Sequence, residues 1–147
     1  MPLKSVTLGF WLLEGSSGCE LARDMFHRSV NLDTQTLLSG GIQEISNNEV
    51  IIYKPRWGAF YNTPLEPHLN KLGIDTLVFA GCNFPNCPRT SIYEASERDF
   101  KIVLVEDAIS GLYPKGKEEM INIGVQVAKT ETLINTIRPV SAEVEPE

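Results

Sequence analysis

This sequence has few of the residues from which disulfide frameworks and metal centres are built. Its 147 residues include three cysteines, Cys19, Cys82 and Cys87, and two histidines, His27 and His68. The cysteine number is odd, no C-x-x-C pair is present and the histidines are far apart, which is typical of reduced thiols and not of a zinc cluster. We therefore predict a cytoplasmic protein that uses neither a metal ion nor another cofactor.

Long hydrophobic runs and an excess of positive charge are absent as well. The apolar runs fall far short of the ~20 residues that span a bilayer, and Glu14 interrupts the first of them without a signal-peptide pattern. The formal net charge is −6, which disfavours nucleic acid and anionic membranes as partners. We therefore expect no nucleic-acid partner and no membrane partner.

The most informative stretch runs from Leu77 to Thr90. An apolar run ends at Gly81, crosses a polar turn and reaches Cys87, and Pro88 then predicts a helix because proline suits the first helical position. A helix N-terminus stabilises a thiolate, the nucleophilic form of cysteine, and open α/β sheets place their chemistry beyond the carboxyl ends of strands. Cys87 is therefore the candidate nucleophile, with a buried structural thiol as the alternative.

Two apolar runs on either side of this turn predict a βαβ unit. We expect strands at 76–80 and 101–107, the first of them buried on both faces, and a helix at 88–99 between them. Ile92 and Ala95 lie three residues apart and can face the sheet. A helical crossover of this length implies that the two strands are parallel.

The other elements follow from caps, breakers and periodicity. We predict a strand at 49–54, an aromatic loop at 56–62, a helix opened by a Thr63–Glu66 capping box and closed by Gly73, a helix at 115–123, a strand at 125–128 and a helix at 130–137. Earlier in the chain, a strand at 5–13 and a helix at 20–27 are candidates. The fold class is α/β, a three-layer domain with a mostly parallel sheet over residues 1–139, followed by an acidic tail at 140–147.

Three blocks occur in an order and at a spacing that match a known family. They are Lys54-Pro-Arg-Trp-Gly-Ala-Phe60 with Thr63 and Leu65, Gly81-Cys82-Asn83 with Cys87, and Ser91, Glu94, Ala95 and Phe100 followed by Val105-Glu-Asp-Ala108. They resemble the "K-P-R-x-S-A-F-x-x-T-x-L" block, the "G-V-x-x-x-x-C" nucleophile turn and the following helix and strand of the isochorismatase-like cysteine hydrolases. That family includes nicotinamidases and N-carbamoyl amide hydrolases.

The resemblance implies roles for four groups. Cys87 would be the nucleophile, Lys54 would stabilise its thiolate, and the backbone amides of Asn83 and Cys87 would form the oxyanion hole. A cis peptide is expected at Cys82–Asn83. The implied reaction is hydrolysis of a C–N bond, an amide or a carbamoyl group, in a small-molecule substrate.

Four aromatic side chains near these groups are the candidate substrate-binding residues: Trp57, Phe60, Tyr61 and Phe84. For the first three, core packing or an oligomer interface is the alternative. Cys82 is expected to fill the core behind the turn. Asp107 follows an apolar strand, where such a residue more often caps a turn than lines a site.

Two departures from the family pattern bear on activity. The family carries a catalytic Asp in a first-strand pattern like "L-L-V-I-D-x-Q", and the only early strand candidate, Ser5 to Leu13, contains no carboxylate. Small or polar residues are also usual where Phe84 and Pro85 stand, and the D-x-H-x-H metal motif of nicotinamidases is absent. We therefore expect an incomplete domain that forms a homo-oligomer and has at most trace activity, with Glu20 and Asp24 as weak candidates for a substitute carboxylate.

Two functions from other classes stay open. The chain could be a non-catalytic module that acts through protein contacts, which the missing Asp favours. Alternatively, Cys87 could be a redox-sensitive thiol without a hydrolytic role.

Overall fold

The computed structural model describes residues 30–137, which fall into two compact units divided between Tyr53 and Lys54. The predicted strand at 5–13, the predicted helix at 20–27 with its two candidate carboxylates, and the tail all lie outside the described residues. The predicted domain bounds remain a prediction.

The described part of the first unit is a short helix followed by a β-hairpin. Helix α1 spans Thr34–Leu38, and the Asp33 side chain caps it by accepting a backbone N–H of its first turn at 3.0 Å. Strands β1 (Ile42–Ser46) and β2 (Glu49–Ile52) pair in antiparallel fashion. The strand predicted at 49–54 is thus confirmed, although it ends before Tyr53.

The second unit contains a three-stranded sheet in the order β3–β4–β5. Its strands are β3 (Thr76–Gly81), β4 (Lys101–Ile109) and β5 (Gln126–Ala128), and both pairings are parallel. The register places Thr76 opposite Lys101. The predicted βαβ unit is therefore confirmed, and the fold class is α/β.

Four helices accompany this sheet, each where a helix was predicted. They are α2 (Leu65–Lys71), α3 (Cys87–Ser96), α4 (Pro114–Asn122) and α5 (Thr130–Ile137). None of the helices between residues 30 and 137 has the length and hydrophobicity that a membrane crossing requires.

The main core of this unit lies on one face of the sheet. Ile92 and Ala95 of α3 and Met120 of α4 have no exposed surface, and they belong to the same buried cluster as Ile102 and Leu104 of β4. The prediction that Ile92 and Ala95 face the sheet is confirmed. This packing fixes α3, and with it the start of the helix at Cys87, against the sheet.

The other face of β4 is covered as well. Strand side chains alternate between faces, and Val105 is only 3% exposed although it does not belong to the main core. Helix α5 contacts β4 and contributes no residue to that core, which places it on this second face. Asp107 caps α5, since its carboxylate accepts the Thr130 N–H at 2.8 Å and the Thr130 hydroxyl at 2.9 Å.

No described residue provides such a second cover for strand β3, and the prediction that both of its faces are buried was wrong. Val78 is 49% exposed, between the half-buried Leu77 and Phe79. Within residues 30–137, β3 pairs with β4 alone. The apolar run predicted the strand, but the number of layers packed on it depends on other parts of the fold.

The predicted capping box at the start of α2 forms only in part. The Thr63 hydroxyl accepts the Leu65 N–H at 3.4 Å and donates to the Ala59 carbonyl at 2.5 Å. The Glu66 carboxylate accepts from Nε of Arg98 at 2.7 Å, so it does not turn back to its own helix end. A tertiary ion pair has replaced the predicted local hydrogen bond of Glu66, while Gly73 follows the end of α2 as predicted.

Candidate active site

Cys87 is the first residue of α3 and lies beyond the carboxyl end of β3. Asn86 is the N-cap of this helix, and Pro88 follows within its first turn. The thiol is free and partly buried, and it stands at the positive end of the helix dipole. The predicted position of Cys87 beside the N-cap is confirmed.

Backbone hydrogen bonds hold the turn between β3 and α3 to the end of β4. The Phe84 N–H donates to the Ser110 carbonyl at 2.8 Å, and the Ser110 N–H donates to the Gly81 carbonyl at 2.9 Å. The peptide between Cys82 and Asn83 is cis, as the resemblance implies. The turn is therefore a defined structure and not a loose connection.

Two N–H groups of this turn find no hydrogen-bond acceptor among the described residues. They are the backbone amides of Asn83 and Cys87, the pair predicted to form an oxyanion hole. The first N–H groups of a helix have no acceptor within the helix, and here Asn83 is exposed and Cys87 is partly buried. Donors at the start of a helix that no described residue occupies suit a ligand that carries or develops negative charge.

Lys54 begins the loop that leads into α2. Its ammonium donates to two carbonyls of that loop, to Arg56 at 3.0 Å and to Trp57 at 3.1 Å. An ammonium has three N–H donors, so one remains for another acceptor. The two bonds restrict where the Lys54 charge can lie, which is what a fixed electrostatic partner requires.

One hydroxyl joins this loop to the helix of Cys87. Oγ of Ser91 accepts the Ala59 N–H at 3.0 Å and donates to the Cys87 carbonyl at 2.7 Å. Ser91 is 4% exposed, so water does not compete for either bond. The loop that Lys54 begins and the first turn of α3 are therefore linked through a single buried side chain.

A carboxylate makes a second link, one helical turn further on. Oε2 of Glu94 accepts the Phe60 N–H at 2.8 Å. A Cβ on Gly58 would lie only 2.2 Å from the Glu94 carboxylate, so this position has no room for a side chain. No role was predicted for Ser91 or Glu94 from the sequence, although their spacing of three residues places them on one helix face.

The four aromatic residues predicted to bind substrate divide into two pairs. Trp57 is 62% exposed and Tyr61 is 50% exposed, so both can contact a ligand. Phe60 and Phe84 belong to the buried core at 5% and 0% exposure. Their burial favours core packing over a place in the pocket wall, and their predicted role in substrate binding stays a prediction.

The departure from the family pattern at Phe84 is matched elsewhere in the chain. A Cβ on Gly116 of α4 would lie 2.6 Å from Cε1 of Phe84. The Phe84 ring also packs edge-on against Tyr113, with ring centroids 5.8 Å apart. The Phe84 ring thus occupies space that a side chain at residue 116 would fill. Its burial in the core anchors the turn that precedes α3.

Two other predicted positions, Cys82 and Asp107, have roles that differ from those of Cys87 and Lys54. Cys82 is exposed, so the expectation that it fills the core was wrong. Two hydrogen bonds from Thr130, first from its N–H and then from its hydroxyl, lower the pKa of Asp107, which keeps this carboxylate in a capping role. Among residues 30–137, no group of His, Cys, Asp and Glu side chains has the arrangement of a metal site.

Comparison with known proteins identifies relatives of this chain. Maleamate amidohydrolase of Pseudomonas putida is 36% identical over 61 residues, covering 42% of this chain and 29% of the relative. A protein of Arabidopsis thaliana described as a probable inactive nicotinamidase is 33% identical over 101 residues, covering 65% of this chain and 50% of the relative. The chain thus spans half or less of the length of these curated relatives.

Solved structures share the fold. An isochorismatase family protein from Desulfovibrio vulgaris superposes with a TM-score of 0.57 at 29% identity, covering 63% of this chain and 51% of that one. N-carbamoylsarcosine amidase from Thermoplasma acidophilum superposes with a TM-score of 0.50 at 32% identity, covering 52% and 45%. The Isochorismatase domain family itself matches residues 27–134, more than half of the sequence. The chain therefore belongs to the isochorismatase family.

Proposed function

We propose that this chain carries the nucleophile of a hydrolase that cleaves the C–N bond of an amide or carbamoyl group in a small molecule. The observation that carries the proposal is the turn before α3. It combines a free, partly buried thiol at Cys87 with two backbone N–H groups, at Asn83 and Cys87, that have no acceptor among the described residues. Nucleophile and oxyanion donors are the two parts that acyl transfer needs first.

The chemistry follows from these groups. The Cys87 thiolate attacks the carbonyl carbon, and the oxygen takes up negative charge opposite the two N–H donors. The C–N bond then breaks, the nitrogen leaves as ammonia or an amine after accepting a proton from solvent water, and a thioester forms on Cys87. Water attacks the thioester carbonyl, the acyl group leaves as the free acid, and the Cys87 thiolate is regenerated with the protons returned to solvent. The remaining N–H of Lys54 stabilises negative charge during these steps, and Trp57 and Tyr61 provide surface for the substrate.

Relatives support the choice of bond. Maleamate amidohydrolase and N-carbamoylsarcosine amidase are named for amide and carbamoyl substrates. The proposed scissile bond, a C–N bond of an amide or carbamoyl group, is the one that those two names share.

Trapping of the thioester tests the proposal without requiring rapid turnover. The full 147-residue chain is mixed with a panel of small primary amides and N-carbamoyl compounds, and the cysteine peptides are mapped by mass spectrometry. We expect an acyl group on Cys87, and any hydrolysis to fall about 10³-fold or more in Cys87→Ser. Cys82→Ser is the matched control, because Cys82 is an exposed thiol in the same turn.

Two results would contradict the proposal. One is acylation of Cys82 and Cys87 to the same extent, which would indicate nonspecific thiol chemistry. The other is hydrolysis that persists in Cys87→Ser, which would place the nucleophile elsewhere.

One observation favours a second candidate, a module without catalytic activity. The Arabidopsis relative, which matches 65% of this chain, is itself described as probable inactive. In that case Cys87 is neither acylated by amides nor alkylated faster than Cys82. Rapid alkylation of Cys87 without acylation would instead favour a redox-sensitive thiol.

A further inference from the structure

The loop at residues 54–60, called the Lys54 loop below, is hydrogen-bonded to α3, and this link affects the reactivity of Cys87. Hydrogen bonds hold the loop both within itself and to the helix. Lys54 donates to the carbonyls of Arg56 and Trp57, and the following N–H groups of Ala59 and Phe60 donate to α3. The ammonium is therefore bound to a segment whose own position depends on α3.

The Ser91 hydroxyl is the group that joins the Lys54 loop to α3. It is the acceptor for Ala59 and, through its own hydrogen, the donor to the carbonyl of Cys87. Because Ser91 is 4% exposed, loss of its hydroxyl would leave the Ala59 N–H without a partner. We propose that Ser91 is a positioning residue, which sets the Lys54 ammonium relative to the Cys87 thiolate by tying the Lys54 loop to the first turn of α3.

This inference rests on the proposed function, since it assumes that Lys54 stabilises the thiolate. It adds a residue to which no chemical role has been assigned so far. Ser91 has no direct part in the reaction, because its hydroxyl is used by two backbone groups. An effect of Ser91 that passes through the loop disappears when Lys54 is absent, whereas an effect that passes through its bond to the Cys87 carbonyl persists.

The chain contains a matched control one residue earlier. The Thr90 hydroxyl donates to the Asn86 carbonyl at 2.9 Å, so it makes the same bond to the fourth residue before it as Ser91 does. Thr90 makes no hydrogen bond to the loop at 54–60. Thr90→Val removes a comparable bond from the same helical turn and leaves the connection intact.

A double-mutant cycle on the rate of Cys87 alkylation tests the inference. Iodoacetamide modification of Cys87 is followed by mass spectrometry over a range of pH in wild type, Ser91→Ala, Lys54→Met and the double variant. We expect about fivefold slower alkylation at neutral pH in Ser91→Ala, which is the order of change that one hydrogen bond produces. In the Lys54→Met background, Ser91→Ala should have no further effect.

Three outcomes would overturn the inference. These are an equal effect of Ser91→Ala in both backgrounds, an equal effect of Thr90→Val, and an unchanged rate in Lys54→Met. If Ser91→Ala does not fold, hydrogen exchange in the wild type decides, because the Ala59 amide should be protected and exchange at the rate of an open loop would contradict the link. Alkylation needs no substrate, so failure of the proposed amide hydrolysis is detected separately, by the absence of an acyl group on Cys87.

Discussion

Strands β3 and β4 are neighbours in one parallel sheet and are similar in sequence, yet their environments differ. Leu104 and Val105, which point to opposite faces of β4, are 0% and 3% exposed. On β3, Val78 is 49% exposed. Since β4 has α3 on one face and α5 on the other, the comparison shows that an apolar run identifies a strand without determining how many layers cover it.

The difference matters for the site because both strands contribute to it. Strand β3 leads into the turn of Cys87, and Ser110, just after β4, holds that turn by two hydrogen bonds. The covered strand thus supplies the rigid support, and the exposed strand supplies the chain that carries the nucleophile. Substitutions in the covered strand β4 and in the exposed strand β3 should therefore have different effects.

The largest effect is expected in the core of β4. Leu104→Ala removes a side chain with no exposed surface from the cluster that packs α3 on the sheet, so we expect a loss of about 2–5 kcal/mol in unfolding free energy. Val78→Ala, on the exposed face of β3, should cost less than about 0.5 kcal/mol. Urea unfolding followed by circular dichroism measures both. Equal losses would mean that β3 is covered in solution.

The sequence predicted the second unit well because its signals are local. Apolar runs at 76–80 and 101–107 fixed the strands, and proline and glycine marked helix ends, as at Pro88 and Gly73. The hairpin of β1 and β2 was predicted only in its second strand, because β1 carries Gln43 and Glu44 and its burial alternates weakly.

The failures share a different cause, which is that the deciding partner is distant in sequence. Glu66 bonds Arg98, 32 residues away, in place of the predicted local cap. Phe84 is buried because Gly116 leaves room for its ring. Ser91 received no role because its two hydrogen bonds, to Ala59 and to Cys87, can only be assigned once the loop and α3 are placed together.

The second prediction concerns the exposed side chain of Val78 on β3. An exposed apolar strand favours association between chains, and the homo-oligomer expected from the sequence stays a prediction that this surface can test. Val78→Lys should shift the sedimentation profile of the 147-residue chain towards smaller species and leave its unfolding midpoint nearly unchanged. Ile121→Lys is the control, because Ile121 is 51% exposed but lies on α4. A shift of the same size in both variants would show that the added charge, and not the loss of an apolar side chain on β3, is responsible.

The smallest effect is expected at Asp107, which helps to cover the second face of β4 by capping α5. Its two hydrogen bonds from Thr130 lower the pKa of the carboxyl group. A carboxyl group whose pKa is lowered by folding stabilises the fold above its unfolded value of about 3.9, and this stabilisation is lost as the pH falls through the folded value. Asp107→Asn should therefore lower Tm slightly at neutral pH, and its difference from the wild type should disappear once both chains are well below pH 4.

Glu131→Gln removes a carboxylate from the first turn of the same helix without changing these two bonds, so its Tm difference should be smaller still. A difference for Asp107→Asn that stays constant from neutral to acid pH would mean that the charge of Asp107 does not hold α5 in place. The second layer on β4 would then depend on apolar contacts alone.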